Sequence, residues 1–119
     1  MEQEPIKKQN AIVAKSFDFA LTIIVYSETL EQQRKYVVAN QLLKSGTSIG
    51  ANVWEAQHAE SRADFIHKLK IAAKEAIETE YWLLLCKHSK HYTSIDDKLE
   101  KLLELQKLLS KIISSTKNN

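Results

Sequence analysis

The sequence predicts an all-α fold, an antiparallel up-down-up-down four-helix bundle in one domain of 119 residues. Three observations carry this. Gly occurs twice and Pro once, so breakers are few and the elements must be long. Apolar residues recur every three or four positions through most of the chain, the spacing of a helix face. The stretches between these periodic segments are only a few residues long, which makes consecutive helices antiparallel neighbours. Hydrophobic residues at 44% and charged residues at 27% fit a soluble globular domain, and this length suffices to bury roughly two thirds of the unfolded surface.

The first helix is expected over residues of about 10–31. Ile12, Phe19, Ile23, Tyr26 and Leu30 follow one seam, with Val13, Phe17, Ala20 and Ile24 on a second beside it. Only a narrow stripe through Lys15, Asp18, Thr22 and Thr29 is polar. A bundle helix needs an apolar face of only ~100° or a little more. The excess predicts self-association, with Phe17, Leu21 and Ile24 as candidates for contacts beyond the monomer's core.

The second helix is expected over about 36–59, although its centre, SGTSIGA (45–51), is unusual. Each Gly costs roughly 1 kcal/mol against Ala in a helix interior, so a loop is the competing reading. The helix is preferred because Leu42, Ile49 and Val53 keep a common face across the stretch. Gly46 and Gly50 then lie one turn apart, where another backbone can approach closely. The Gly-Lys-Ser/Thr ending of a phosphate-binding loop is absent.

Ser61 with Asp64 three residues later is a capping signal and opens a third helix over about 62–88. Its seam is Phe65, Leu69, Ala72, Ala76, Leu83 and Cys86, flanked by Ile66, Ala73, Ile77 and Leu84. Ser94 with Asp97 repeats the signal before a fourth helix over about 95–113, whose core face is Ile95, Leu99, Leu102, Leu105, Leu109 and Ile112. Asp97 and Lys101 have the spacing of a favourable i,i+4 ion pair. Residues 1–8 and 114–119 are expected to be frayed ends.

Chemistry-bearing residues are weighed against plainer roles. Glu55 and His58 form an E-x-x-H motif, of the kind that helical bundles use in paired metal sites. The nearest second candidate, Asp64 with His67, lies at the opening of the next helix, so solvated or capping roles are preferred. His88, His91 and Cys86 lack a fourth metal ligand. Cys86 falls on the apolar seam, where a buried inert thiol is expected; as a lone cysteine it suits a reducing cytoplasm. Glu75, Glu78 and Glu80 do not share one face, and Lys74 with Glu78 is read as an ion pair. No acid–base pair or nucleophile elbow emerges, so no enzymatic activity, metal or cofactor is expected. The uncharged run 19–27 is too short to span a membrane, and no signal peptide precedes it.

The net charge is only +2, so a nucleic-acid role depends on where the charge sits. Lys44, Arg62, Lys68, Lys70, Lys74, Lys87 and Lys90 fall on the second and third helices or just past them, and Lys107, Lys111 and Lys117 lie near the chain's end. Arg62, Lys68, Lys70 and Lys74 are the candidates for phosphate contacts. A solvated face is the plainer reading, and repetition around an oligomer would strengthen the other.

The blocks SFDFALTIIVYSETL (16–30), SGTSIGANVWEA (45–56), AESRADFIHKL (59–69) and KEAIETEYWLLL (74–85) carry a resemblance to the four-helix bundle proteins, also called the 23S rRNA intervening-sequence protein family. The resemblance covers most of the chain and fades after Leu85. It implies homopentamers of four-helix bundles, hence a ring-like homo-oligomer. The family name describes reading frames inside insertions of 23S rRNA genes, a genomic location. Related proteins include the accessory protein of diversity-generating retroelements, a basic pentameric barrel that associates with reverse transcriptase and nucleic acid. The implied partners are therefore a second copy of the chain, RNA or DNA, and an enzyme such as a reverse transcriptase. The expected role is a nucleic-acid-associated adaptor; the alternative is a protein–protein scaffold without nucleic-acid affinity.

Overall fold

The structure, a computed structural model, describes residues 10–118. Among these it contains four α-helices and no strands: α1 (Ala11–Gln32), α2 (Tyr36–Ala56), α3 (Arg62–His88) and α4 (Asp96–Lys117). The expectation for residues 1–8 lies outside the described residues.

Each helix starts and stops for local reasons. Asn10 caps α1 by accepting from the Ile12 amide, and its own side-chain amide donates to Gln57 at 3.1 Å, tying the start of α1 to the end of α2. The turn after α1 closes through Arg34, held at a positive φ of 65°, with the Lys35 amide reaching back to the Leu30 carbonyl. The Ser61 hydroxyl accepts from the Asp64 amide at 3.0 Å, while the Asp64 carboxylate accepts from the amide of Glu60. This satisfies two of the free N–H groups at the opening of α3.

Three expectations are corrected at the ends. The second helix stops at Ala56, and residues to 59 form a turn. The fourth begins at Asp96 without a side-chain cap from Ser94; the buried Ile95 anchors its start instead. Its end runs on to Lys117, so residues 114–117 are helical. Lys101 lies 3.7 Å from Asp18 of α1, and Asp97 lies beside Lys98.

The glycine-containing centre of α2 is continuous helix. A Cβ on Gly46 would stand 2.8 Å from Cγ2 of Ile23, and one on Gly50 would stand 3.2 Å from the Ser16 carbonyl oxygen. Both positions therefore face α1 at close range, and the core of Phe19, Ile23, Leu42, Ile49 and Val53 closes around them. Ser45 and Thr79 bring two buried hydroxyls within 2.9 Å between α2 and α3, each also near a carbonyl of its own helix. Further along, Lys68 meets Glu55. On the other side of α3, Gln106 donates to Glu80, and Lys87 pairs with Asp96. In every pairing residue numbers rise along one helix as they fall along the other. The four helices pack in chain order and α1 also adjoins α4, while the backbones of α1 and α3 stay apart across the core.

Candidate functional site

The site is built on α1, whose polar stripe does not face solvent alone. Lys15 lies 3.6 Å from Glu104 and Asp18 reaches Lys101, so the stripe borders α4. Thr22 and Thr29 line the same edge with Thr93 and Lys98. With one flank on α2, one on α4 and the seam on the core, the side left outward is apolar. Phe17 and Leu21 stand 43 and 50% exposed there, and Val25 is also exposed.

Beside them, α1 and α2 enclose a groove of about 330 Å³ lined by Phe17, Leu21, Ile24, Gly50, Ala51 and Trp54. Trp54 is 45% exposed, and its ring lies 6.4 Å from that of Phe17. Small residues at positions 20, 47, 50 and 51 keep the floor low while the two aromatic rings form a wall. The sequence-based candidates Phe17, Leu21 and Ile24 thus line one groove. Trp54 was missed, although its four-residue step from Gly50 would have put it on the same face.

The basic candidates do not form one surface. Lys68 turns to α2 and is held 3.1 Å from Glu55, whose carboxylate keeps the ammonium above its usual pKa range. Lys70 lies toward α4, in a shallow groove with Ser110, Ser114 and Lys117. Lys74 is exposed one turn further along α3, and Arg62 is exposed at its first residue.

The metal-like motifs are also separated. Glu55 is engaged by Lys68, Asp64 serves as a cap, and His58 and His67 are exposed. Among the described residues no three His, Cys, Asp or Glu side chains gather as a metal site would need. Cys86 is buried, and burial pushes its thiol pKa up. The Tyr26 hydroxyl faces this thiol and Thr93 without meeting hydrogen-bond geometry with either; burial, the largest cause, raises its pKa well above the normal phenol range. Lys98 covers the Tyr26 ring at 4.7 Å, and Lys35 the Tyr92 ring at 4.9 Å. Glu75 is half-buried and its pKa is raised by that burial and by Glu78, against a smaller opposing pull from Lys44. Among the described residues no helix is long and apolar enough to cross a membrane.

Two flanking positions are corrected as well. Ile77 and Leu84, expected beside the core seam of α3, are exposed. Both lie beyond the edge of the surface that α2 and α4 cover.

No curated protein matches the chain. A crystal structure of a protein of unknown function from the S23 ribosomal protein family, from Bacteroides thetaiotaomicron VPI-5482, is 45% identical in sequence. The match covers 87% of this chain and 98% of that one, with a TM-score of 0.81. The family model for the 23S rRNA-intervening sequence protein matches residues 8–115. With nearly its whole length matched and its four helices accounted for, the chain belongs to the 23S rRNA-intervening sequence protein family.

Proposed function

We propose that this protein works by assembly and not by catalysis. It is a cytoplasmic, non-enzymatic bundle of antiparallel up-down-up-down helices that self-associates into a ring-shaped homopentamer and acts as an adaptor on nucleic acid. The observation that carries the reading is the outward apolar side of α1, where Phe17 and Leu21 border the groove shared with Trp54. Leaving such a surface in water is costly, and burying it gains roughly 25 cal/mol per Å². The residue order of the inter-helix contacts supports the alternating helix directions. The pentamer and the nucleic-acid partner, or an enzyme that works on nucleic acid such as a reverse transcriptase, follow from the family resemblance. Lys70, Lys74 and Arg62 are the residues proposed for phosphate contacts.

Light scattering coupled to gel filtration tests the assembly. The expected mass is several times the 13.6 kDa of one chain, and Phe17→Glu with Leu21→Glu should reduce it to the monomer mass while helicity is retained. A monomeric wild-type protein at micromolar concentration would overturn the reading. Fluorescence anisotropy with labelled single- and double-stranded RNA and DNA tests the adaptor role, and Lys70→Gln with Lys74→Gln should weaken binding without altering assembly. The alternative is a protein–protein scaffold without nucleic-acid affinity. The engagement of Lys68 by Glu55 favours it, because that cation is already neutralised. Absence of binding to all four probes at low salt would decide for the scaffold.

A further inference from the structure

The groove on α1 and α2 has a counterpart on α3. Ile77, Tyr81 and Leu84 follow i, i+4, i+7 spacing and form one stripe along the helix. Ile77 and Tyr81 are 63 and 59% exposed. Gln106 donates to Glu80 between α4 and α3, and one turn from these residues along each helix Leu84 and Leu103 are both exposed. This exposed stripe, the α3 ridge, stands on the helix diagonal to α1 in the order of packing.

We propose that the α3 ridge of one copy seats in the α1/α2 groove of the next, a head-to-tail contact between two different faces of the chain. The proposal rests on the reading of the protein as self-associating. An apolar stripe on one helix lying in a concavity between two others is a recurrent mode of recognition. Areas are also in proportion. With aromatic side chains carrying ~150–250 Å² each, the exposed apolar groups come to roughly 400–500 Å² on each face. A patch of that size matches the largest that a typical monomer leaves in water, roughly 300–600 Å², and this chain carries two. Joined, and with a polar rim added, the two faces reach the roughly 1,200–2,000 Å² of a stable interface. Phe17 and Trp54 on one side and Tyr81 on the other supply aromatic anchors. Because each copy then carries one donor face and one acceptor face, the contact repeats from copy to copy and forms a ring when the rotation between copies closes. Groove meeting groove would stop at a dimer.

Complementation between two crippled chains tests this. Leu21→Glu damages only the groove, and Ile77→Glu with Tyr81→Glu damages only the ridge; all three side chains are exposed. Light scattering should find each variant monomeric. An equal mixture should form a two-chain species and nothing larger, since one intact ridge and one intact groove remain between them. Circular dichroism checks that each variant is folded, and Leu21→Ser with Ile77→Ser replaces any that is not. A ridge variant that keeps the wild-type mass would overturn the proposal while leaving self-association intact. So would two monomeric variants that fail to combine. A monomeric wild type would instead remove the reading on which the proposal stands.

Discussion

Glu75 shows how one side chain records its surroundings. Burial raises its pKa first and Glu78 second, with Lys44 pulling the other way. A folded-state pKa above the unfolded one means that this group's stabilising contribution is present below the unfolded value and lost as pH rises through the folded one. At neutral pH its ionised form therefore works against folding. Glu75→Gln should raise the melting temperature at pH 7 and leave it unchanged near pH 4, and thermal melts at the two values check this. An equal shift at both would point to packing instead of charge. In the sequence Glu75 was legible only as one of three acids on a helix. Its burial and the nearby charge of Lys44 on α2 arise from tertiary packing, which no local pattern encodes.

At the scale of elements, the spacing of Gly46 and Gly50 pointed to close approach of another backbone, and α1 lies against both. Gly46→Ala tests how tight that contact is. The new methyl would meet the buried, β-branched Ile23, which has little rotamer freedom in a helix. Overpacking of about 1–3 kcal/mol outweighs the roughly 1 kcal/mol of helix propensity gained, so the melting temperature should fall. A rise would mean that α1 yields at no cost. The core seams of all four helices were legible because helical periodicity is local: Leu69, Ala72, Ala76 and Leu83 are all buried. The outward assignments were harder. The polar stripe of α1 borders α4 through Lys15 and Asp18, and Ile77 and Leu84 face outward. Periodicity identifies a helix's most apolar side but not how many neighbours that side will meet. The cap expected from Ser94 failed for a related reason, since the buried Ile95 takes over the start of α4.

For the whole molecule, assembly and charge combine. If several subunits present Lys70 and Lys74 to one nucleic acid, the released counterions come from all of them. Two phosphate contacts on duplex DNA give a slope of about −2 in log affinity against log salt. The assembled protein should show a steeper slope, and the groove variant Leu21→Glu should fall back toward that value. Equal slopes would mean that one subunit binds alone. The family was legible from four sequence blocks, whereas the neighbours that Lys68 and Lys70 turn to were not. Two residues apart on a helix, they diverge by about 200° at 3.6 residues per turn, and the tertiary contacts send one to α2 and the other toward α4.

The edge between α1 and α4 has a kinetic consequence. α1 adjoins α4 over a shorter stretch than it adjoins α2, and the exposed pairs Lys15–Glu104 and Asp18–Lys101 bridge that edge. Such pairs are worth about 0–1 kcal/mol and are screened by salt. The fourth helix is thus the unit that peels away first, and its amides should exchange with deuterium well before those of α2. Raising the salt concentration should widen the gap, because it weakens the bridges of α4 and leaves the glycine contacts of α2 untouched. Uniform exchange along the chain would mean that the four helices open together, as one cooperative unit.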